Sequence, residues 1–312
     1  MKSLRDYVFL YLKGIAMGAA DAVPGVSGGT IAFISGIYET LINAIRSFDR
    51  EAIRLLFQYD IRGFWNHVNG TFLIVLVSGI LTSILLLSRI ILHWLENYPE
   101  MLWAFFFGLI IASAIVVSRQ VTQWNAPVIV AGICGLLFGY AITVATPSET
   151  TIALWFVFVS GMISICAMIL PGISGSFILV LLGKYEYILG VVKEFQLLVM
   201  ITFTCGAAIG LLSFSHLLNW TLKRFRNVTI AALMGIMTGS LNKVWPWKKV
   251  IETYTNHKGQ VKPLVEENVL PTVYYEVTQK DPYLLYAVLL AIFGFVLVYF
   301  IEKISIGNPY EK

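Results

Sequence analysis

Long apolar runs joined by short polar loops make up most of the chain, and two of those runs are interrupted by one recurring five-residue pattern. The uninterrupted runs at 71–92, 101–118, 127–145, 196–220, 229–242 and 284–302 read as membrane-spanning helices. The stretches 7–45 and 152–192 are instead broken near their middles, by Pro24-Gly25-Val26-Ser27-Gly28 and by Pro171-Gly172-Ile173-Ser174-Gly175. Proline removes a backbone donor and glycine relaxes φ, so a helix should stop at each pattern. Lipid offers no partner for the freed backbone, and such breaks are tolerated only where they face protein or line a cavity. Each broken stretch is therefore predicted to be a re-entrant hairpin with its tip inside the membrane, two tilted spans being the alternative. The helix after each break is expected to continue to about Ile45 or Val192, with Ser27 or Thr30 able to cap the first.

Laying the chain on itself with Pro24 over Pro171 places Gly14 over Gly161, Ile31 over Ile178, Gly36 over Gly183, Tyr38 over Tyr185 and Glu39 over Glu186. In a second register Gly79, Ser88, Gly108 and Ser113 fall on Gly206, Ser215, Gly235 and Ser240, and Arg89 on His216. The change of offset assigns an insertion to 46–69, and the chain reads as an internal duplication. The first repeat, 1–148, holds the hairpin 7–45, the insertion and three spans. The second, 149–312, holds the hairpin 152–192, three spans and the polar segment 243–283. Each half makes an odd number of crossings however its broken stretch is counted, so the halves are inverted. The predicted fold is an all-α polytopic membrane protein of two inverted-topology repeats, each with a broken helix pair and three transmembrane helices.

The insertion interleaves Arg46, Arg50, Arg54 and Arg62 with Phe48, Leu55, Leu56, Phe57 and Trp65, as in an amphipathic helix on an anionic leaflet; a solvated loop is the other reading. Within 243–283, Lys258-Gly259 marks a hairpin turn.

Composition excludes a soluble domain: 58% of the 312 residues are hydrophobic and 13% charged, with a mean hydropathy of +0.78. Cys134, Cys166 and Cys205 stand singly in apolar runs, as reduced core thiols do, and the four histidines show no ligand spacing. No metal, cofactor or nucleic-acid partner is expected. Lys2 and Arg5 precede an apolar stretch as in a secretory leader, but Lys13 interrupts it and the first break follows at once, so an uncleaved segment is expected. Lys and Arg gather on the side of the amino terminus, from Lys2, Arg5 and Lys13 through the insertion to Arg119, Lys223, Arg224, Arg226 and Lys303. The loops 93–100 and 146–151 carry none, which places both termini in the cytoplasm and 243–283 outside.

A helix that starts at a break directs unpaired N–H groups and the positive end of its dipole there. Ser27, Gly28, Gly29 and Thr30 in one half, and Ser174, Gly175 and Ser176 in the other, accordingly form a candidate cradle for an anion, with Pro24, Gly25, Pro171 and Gly172 as the breaks. Tight helix crossing at small residues is the competing explanation. Two helix ends supply about one positive charge, against −1.5 to −2 for a phosphate monoester. Arg89, inside a span near its outer end, is a candidate for the remainder, or a side chain reaching the headgroups. Asp21, with Met168 opposite it in the second repeat, is a candidate proton or cation site. Glu39 and Glu186, some 18 Å along a helix from the breaks, are candidate coupling groups or partners of loop cations.

The run Met17-Gly18-Ala19-Ala20-Asp21-Ala22-Val23-Pro24-Gly25-Val26-Ser27-Gly28-Gly29-Thr30, followed by Gly36-Ile37-Tyr38-Glu39 and later by Pro171-Gly172-Ile173-Ser174-Gly175-Ser176, closely resembles the bacterial polyprenyl-phosphate transporter family. The likeness covers nearly the whole chain. It implies a carrier that returns undecaprenyl phosphate from the outer to the inner leaflet of the cytoplasmic membrane, where the lipid serves peptidoglycan and other envelope polymers. Its partners would be that lipid, the bilayer, and protons or sodium ions, because a potential negative inside opposes the inward step by about 2.3 kcal/mol per charge per 100 mV. A carrier for a small soluble anion would use the same cradle. A lipid phosphatase would need a nucleophile or metal cluster for which the sequence offers no pattern, and an inert scaffold would leave the doubled break without a purpose.

Overall fold

The structure, a computed structural model, describes residues 4–21, 26–148, 150–255 and 261–305. Its first half runs α1 (Leu4–Asp21), α2 (Gly28–Ile34), α3 (Tyr38–Arg46), α4 (Arg50–Phe57), α5 (Ile61–His67), α6 (Gly70–Leu86), α7 (Ser88–Asn97), α8 (Pro99–Ser118) and α9 (Ala126–Val144). Its second half runs α10 (Leu154–Ile169), α11 (Gly175–Leu181), α12 (Tyr185–Lys193), α13 (Leu197–Arg224), α14 (Arg226–Ser240), β1 (Lys248–Thr255), β2 (Val261–Asn268), α15 (Pro271–Thr278) and α16 (Leu284–Ser305). Among the described residues, three helices (α8, α9 and α13) are long and apolar enough to cross a membrane, or up to five segments if each bent pair counts as one span. The chain is a multi-pass membrane protein.

The same packing recurs in both halves. α1 lies along α6 as α10 lies along α13, and α2 returns against α1 as α11 returns against α10. The last two long helices of each half pair across the halves, α8 with α16 and α9 with α14. Small residues let these backbones touch. A Cβ on Gly14 would run into the Leu76 carbonyl of α6, and one on Gly206 into the Phe158 carbonyl of α10. Replacing Gly206 with leucine should therefore wedge α10 from α13 at a cost of about 1–3 kcal/mol, read as a lower thermal unfolding midpoint in detergent.

Three helices expected to be continuous are not: the run 71–92 is divided at Leu87 into α6 and α7, and the helix after each break is cut short. α2 and α11 stop after seven residues, and Gly36 (φ 71°) and Gly183 (φ 61°) close them in the left-handed conformation. In each, the amide two positions past the helix cap reaches back five residues, Ile37 to Ala32 at 3.0 Å and Lys184 to Leu179 at 2.8 Å. This Schellman closure is the reason the aligned glycines recur. α11 and α12 consequently meet at 106°. The predicted 18 Å straight reach to Glu39 and Glu186 is thereby corrected.

The insertion forms two short helices, α4 and α5, and carries exposed apolar side chains such as Phe57 and Ile61. Segment 243–283 departs from an all-α fold: β1 and β2 pair antiparallel, since Val250, Ile251, Thr253, Tyr254 and Thr255 favour a pleated strand. The turn expected at Lys258-Gly259 lies outside the described residues. The Trp245 indole donates to the Val269 carbonyl and that of Trp247 to the Pro282 carbonyl, closing the segment on itself, and it is seated on α8 by the Trp245 ring edge-on to Phe107 and by the Tyr274 hydroxyl on the buried Glu100 carboxylate.

Lys248 opens β1 with its side chain buried, its ammonium 4.4 Å from the Trp103 ring centre and 2.7 Å from the Lys243 carbonyl. Burial pulls its pKa down to about 8, only partly opposed by Glu266. Because the folded pKa lies below the unfolded one, the unfolded chain holds the extra proton between pH 8 and 10.5, and stability attributable to this group rises with pH across that window. Lys248→Met should flatten the rise, which differential unfolding of the two proteins from pH 7 to 10.5 would show.

Candidate functional site

The two breaks, 147 residues apart in sequence, meet at one buried point. Ser27 caps α2: its Oγ accepts from the Gly29 amide at 3.0 Å and donates to the Met168 carbonyl at the end of α10 at 3.1 Å. The Gly172 amide donates to Thr30 Oγ1 at 2.9 Å, and the Tyr38 hydroxyl to the Ile169 carbonyl at 3.2 Å. Ser27, Thr30 and Tyr38 are all buried. Gly29 has no room for a side chain, because a Cβ there would lie 2.7 Å from the Ile169 carbonyl oxygen. Backbone freed at each break is thus answered in part by the other.

Asp21 ends α1 and faces the start of α2, where its Oδ1 accepts from the Gly28 amide at 2.6 Å. A carboxylate therefore already holds the position at which an incoming anion would meet the first helix start. In the second break Ser174 and Ser176 share a hydrogen bond of 2.8 Å between their hydroxyls, and Ser164 donates to the Gly175 carbonyl at 2.9 Å. The two helices that begin at these breaks have only two turns each, so their dipoles are weaker than those of long helices.

A cation missed in the sequence stands beside the second break. Lys243 and Ser174 line one small crevice with Gly172, Phe177 and Ser240, and the Lys243 ammonium lies 4.7 Å from the Phe177 ring centre and 3.6 Å from Glu266. It comes from the segment after α14, some 70 residues from Ser174, and only its place just beyond an apolar run hinted at it.

The remaining candidates are scattered. Arg89 sits in the first turn of α7, and its side chain lies outside the described residues, as do Pro24 and Gly25. Pro171 and Gly172 form the turn between α10 and α11, with Gly172 at φ 89°. Glu39 and Glu186 each open a helix, α3 and α12, where an acid favours the helix start. Glu39 also pairs with Arg226 at 2.7 Å with both side chains half exposed. Neither belongs to the meeting point of the breaks.

Broken helices joined at their tips within a bundle of apolar helices define a polytopic membrane protein built around a polar interior site. Residues 17–262 match the family described as undecaprenyl phosphate translocase-like, and the chain belongs to that family. It is 46% identical over 298 residues to the polyprenyl-phosphate transporter of Vibrio cholerae serotype O1, covering 96% of this chain and 97% of that protein. With the polyprenyl-phosphate transporter of Staphylococcus aureus it shares 31% identity over 253 residues, 75% of this chain and 85% of the relative. No solved structure matches it.

Proposed function

We propose that this protein carries polyprenyl phosphate across the cytoplasmic membrane, from outer to inner leaflet, with the phosphate held at the paired breaks and the prenyl tail left in lipid. The mutual hydrogen bonding of the two breaks carries this reading, because it gathers hydroxyls and glycine backbone from both halves into one interior site; the family of the chain supplies the substrate class. The recurring helix pairs support two inverted repeats, a plan that lets one site face either side in turn. Both termini lie in the cytoplasm, as the Lys and Arg bias requires.

Lys243, Ser174 and Ser176 provide the charge and donors at the second break, and Asp21 couples the cycle to a proton or sodium ion. While Asp21 is ionised it occupies the Gly28 amide and repels a phosphate. Neutralising it with a cation removes the repulsion and weakens its hold on that amide, so that phosphate displaces it there and cation and phosphate bind and cross together. Two cations would balance a nearly divalent headgroup. Glu39 and Glu186 shape the helix starts, and Arg89 meets the headgroup at the outer mouth.

Proteoliposomes loaded with prenyl phosphate test the reading, the exposed headgroups being counted with an impermeant phosphatase. A pH or sodium gradient should speed movement between leaflets, with no equivalent flux of inorganic phosphate. Gradient-driven flux of inorganic phosphate without lipid movement would instead establish the soluble-anion carrier.

A further inference from the structure

A second basic site lies away from the breaks, in a cavity of about 660 Å³ lined by Arg46 at the end of α3 and by His216, Asn219, Trp220, Lys223 and Arg224 of α13. These α13 residues recur at the spacing of one helix face, and among the described residues the lining contains no carboxylate. α13 has 28 residues, about 42 Å at helical rise against about 30 Å of hydrocarbon, so part of it extends past the hydrocarbon, and the Lys223 and Arg224 of its last turn suit headgroup level.

The cavity is built and not merely basic. Asn219, buried between the helices, accepts from the Arg46 guanidinium at 3.0 Å and donates to Asn43. Arg46 is thus aimed by an amide, which leaves its charge unneutralised by that partner. Glu39, two turns earlier on α3, is engaged by Arg226 instead. His216 Nδ1 lies 2.8 Å from the Leu212 carbonyl, an acceptor only, so Nδ1 donates there and Nε2 of the neutral ring is an acceptor, able to meet a protonated phosphate oxygen but not an ionised one. Trp220 packs edge-on against Phe225 with their centroids 5.8 Å apart and is half exposed, an aromatic edge suited to the chain next to a headgroup. In the first half the helix corresponding to α13 is divided at Leu87 into α6 and α7.

We propose that this cavity binds a terminal phosphate group, either the monoester headgroup of a prenyl lipid or free inorganic phosphate, through Arg46, Lys223 and Arg224. Its service as the station where the headgroup leaves the breaks on the inner side rests on the transport reading; its affinity for the anion does not.

Trp220 supplies the probe. Protein in nanodiscs of zwitterionic lipid is titrated with a short-chain prenyl monophosphate, the matching prenyl alcohol and inorganic phosphate, following tryptophan fluorescence in the wild type and in Trp220→Phe. The monophosphate should give a saturable change that Trp220→Phe abolishes and the alcohol does not produce. Lys223→Gln with Arg224→Gln should weaken it at least about ten-fold at an unchanged unfolding midpoint, and Lys223→Arg should preserve it. Competition by inorganic phosphate would admit the free anion as ligand, and absence of competition would assign the site to the lipid. Unchanged affinity in the double variant, or an equal response to the alcohol, overturns the proposal. Absent transport beside intact Trp220-dependent binding would overturn the transport reading alone.

Discussion

Replacing Ser27 and Ser174 together with alanine should slow prenyl-phosphate movement in proteoliposomes by roughly two orders of magnitude. Each hydroxyl offers a hydrogen bond to a charged oxygen, worth about 1.5–3 kcal/mol, and two such losses give about 3 kcal/mol or more. Ser27 also caps α2, and removing a cap costs about 1 kcal/mol of stability. The unfolding midpoint of the double variant separates the two effects: a fall in transport with a midpoint shift of a few degrees places the hydroxyls on the substrate path. Loss of transport only in proportion to unfolded protein would reduce both serines to structural residues.

Asp21→Asn should abolish the gradient dependence while leaving the break assembled. The amide oxygen of asparagine still accepts from the Gly28 N–H, so the turn between α1 and α2 keeps its hydrogen bond. The side chain no longer gains or loses charge, and neither a proton nor a sodium ion then changes its competition with phosphate. The ratio of transport with and without an imposed pH or sodium gradient should fall to one, whereas lipid-headgroup binding persists. A variant that still responded to a gradient as the wild type does would move the coupling ion elsewhere.

Much of this architecture was legible because its chemistry is local. Proline and glycine in the middle of apolar runs have few uses in lipid, and among the described residues separate helices, α1 and α2 in one half and α10 and α11 in the other, flank the two patterns. The closures at Gly36 and Gly183 were visible as an aligned pair but not as helix ends, because a lone glycine among apolar residues reads equally well as a helix-crossing contact. The hairpin of β1 and β2 was signalled only by its turn, since a strand pairing depends on a partner many residues away. Lys243 escaped for the same reason: its nearness to Ser174 comes from how α14 packs, and nothing in the spacing records it. Likewise the pairing of Asp21 with the Gly28 amide could not be read, although Asp21 itself stood out as an acid beside a break.

The most direct test is a structure of the protein in lipid nanodiscs bound to a prenyl monophosphate. Phosphate density between the two breaks, in contact with Ser174, Ser176 and the Lys243 ammonium and with Asp21 withdrawn from the Gly28 amide, is the predicted result. Phosphate bound only elsewhere, with the Gly28 amide still held by Asp21 and the breaks still joined through Thr30 and Gly172, would contradict it.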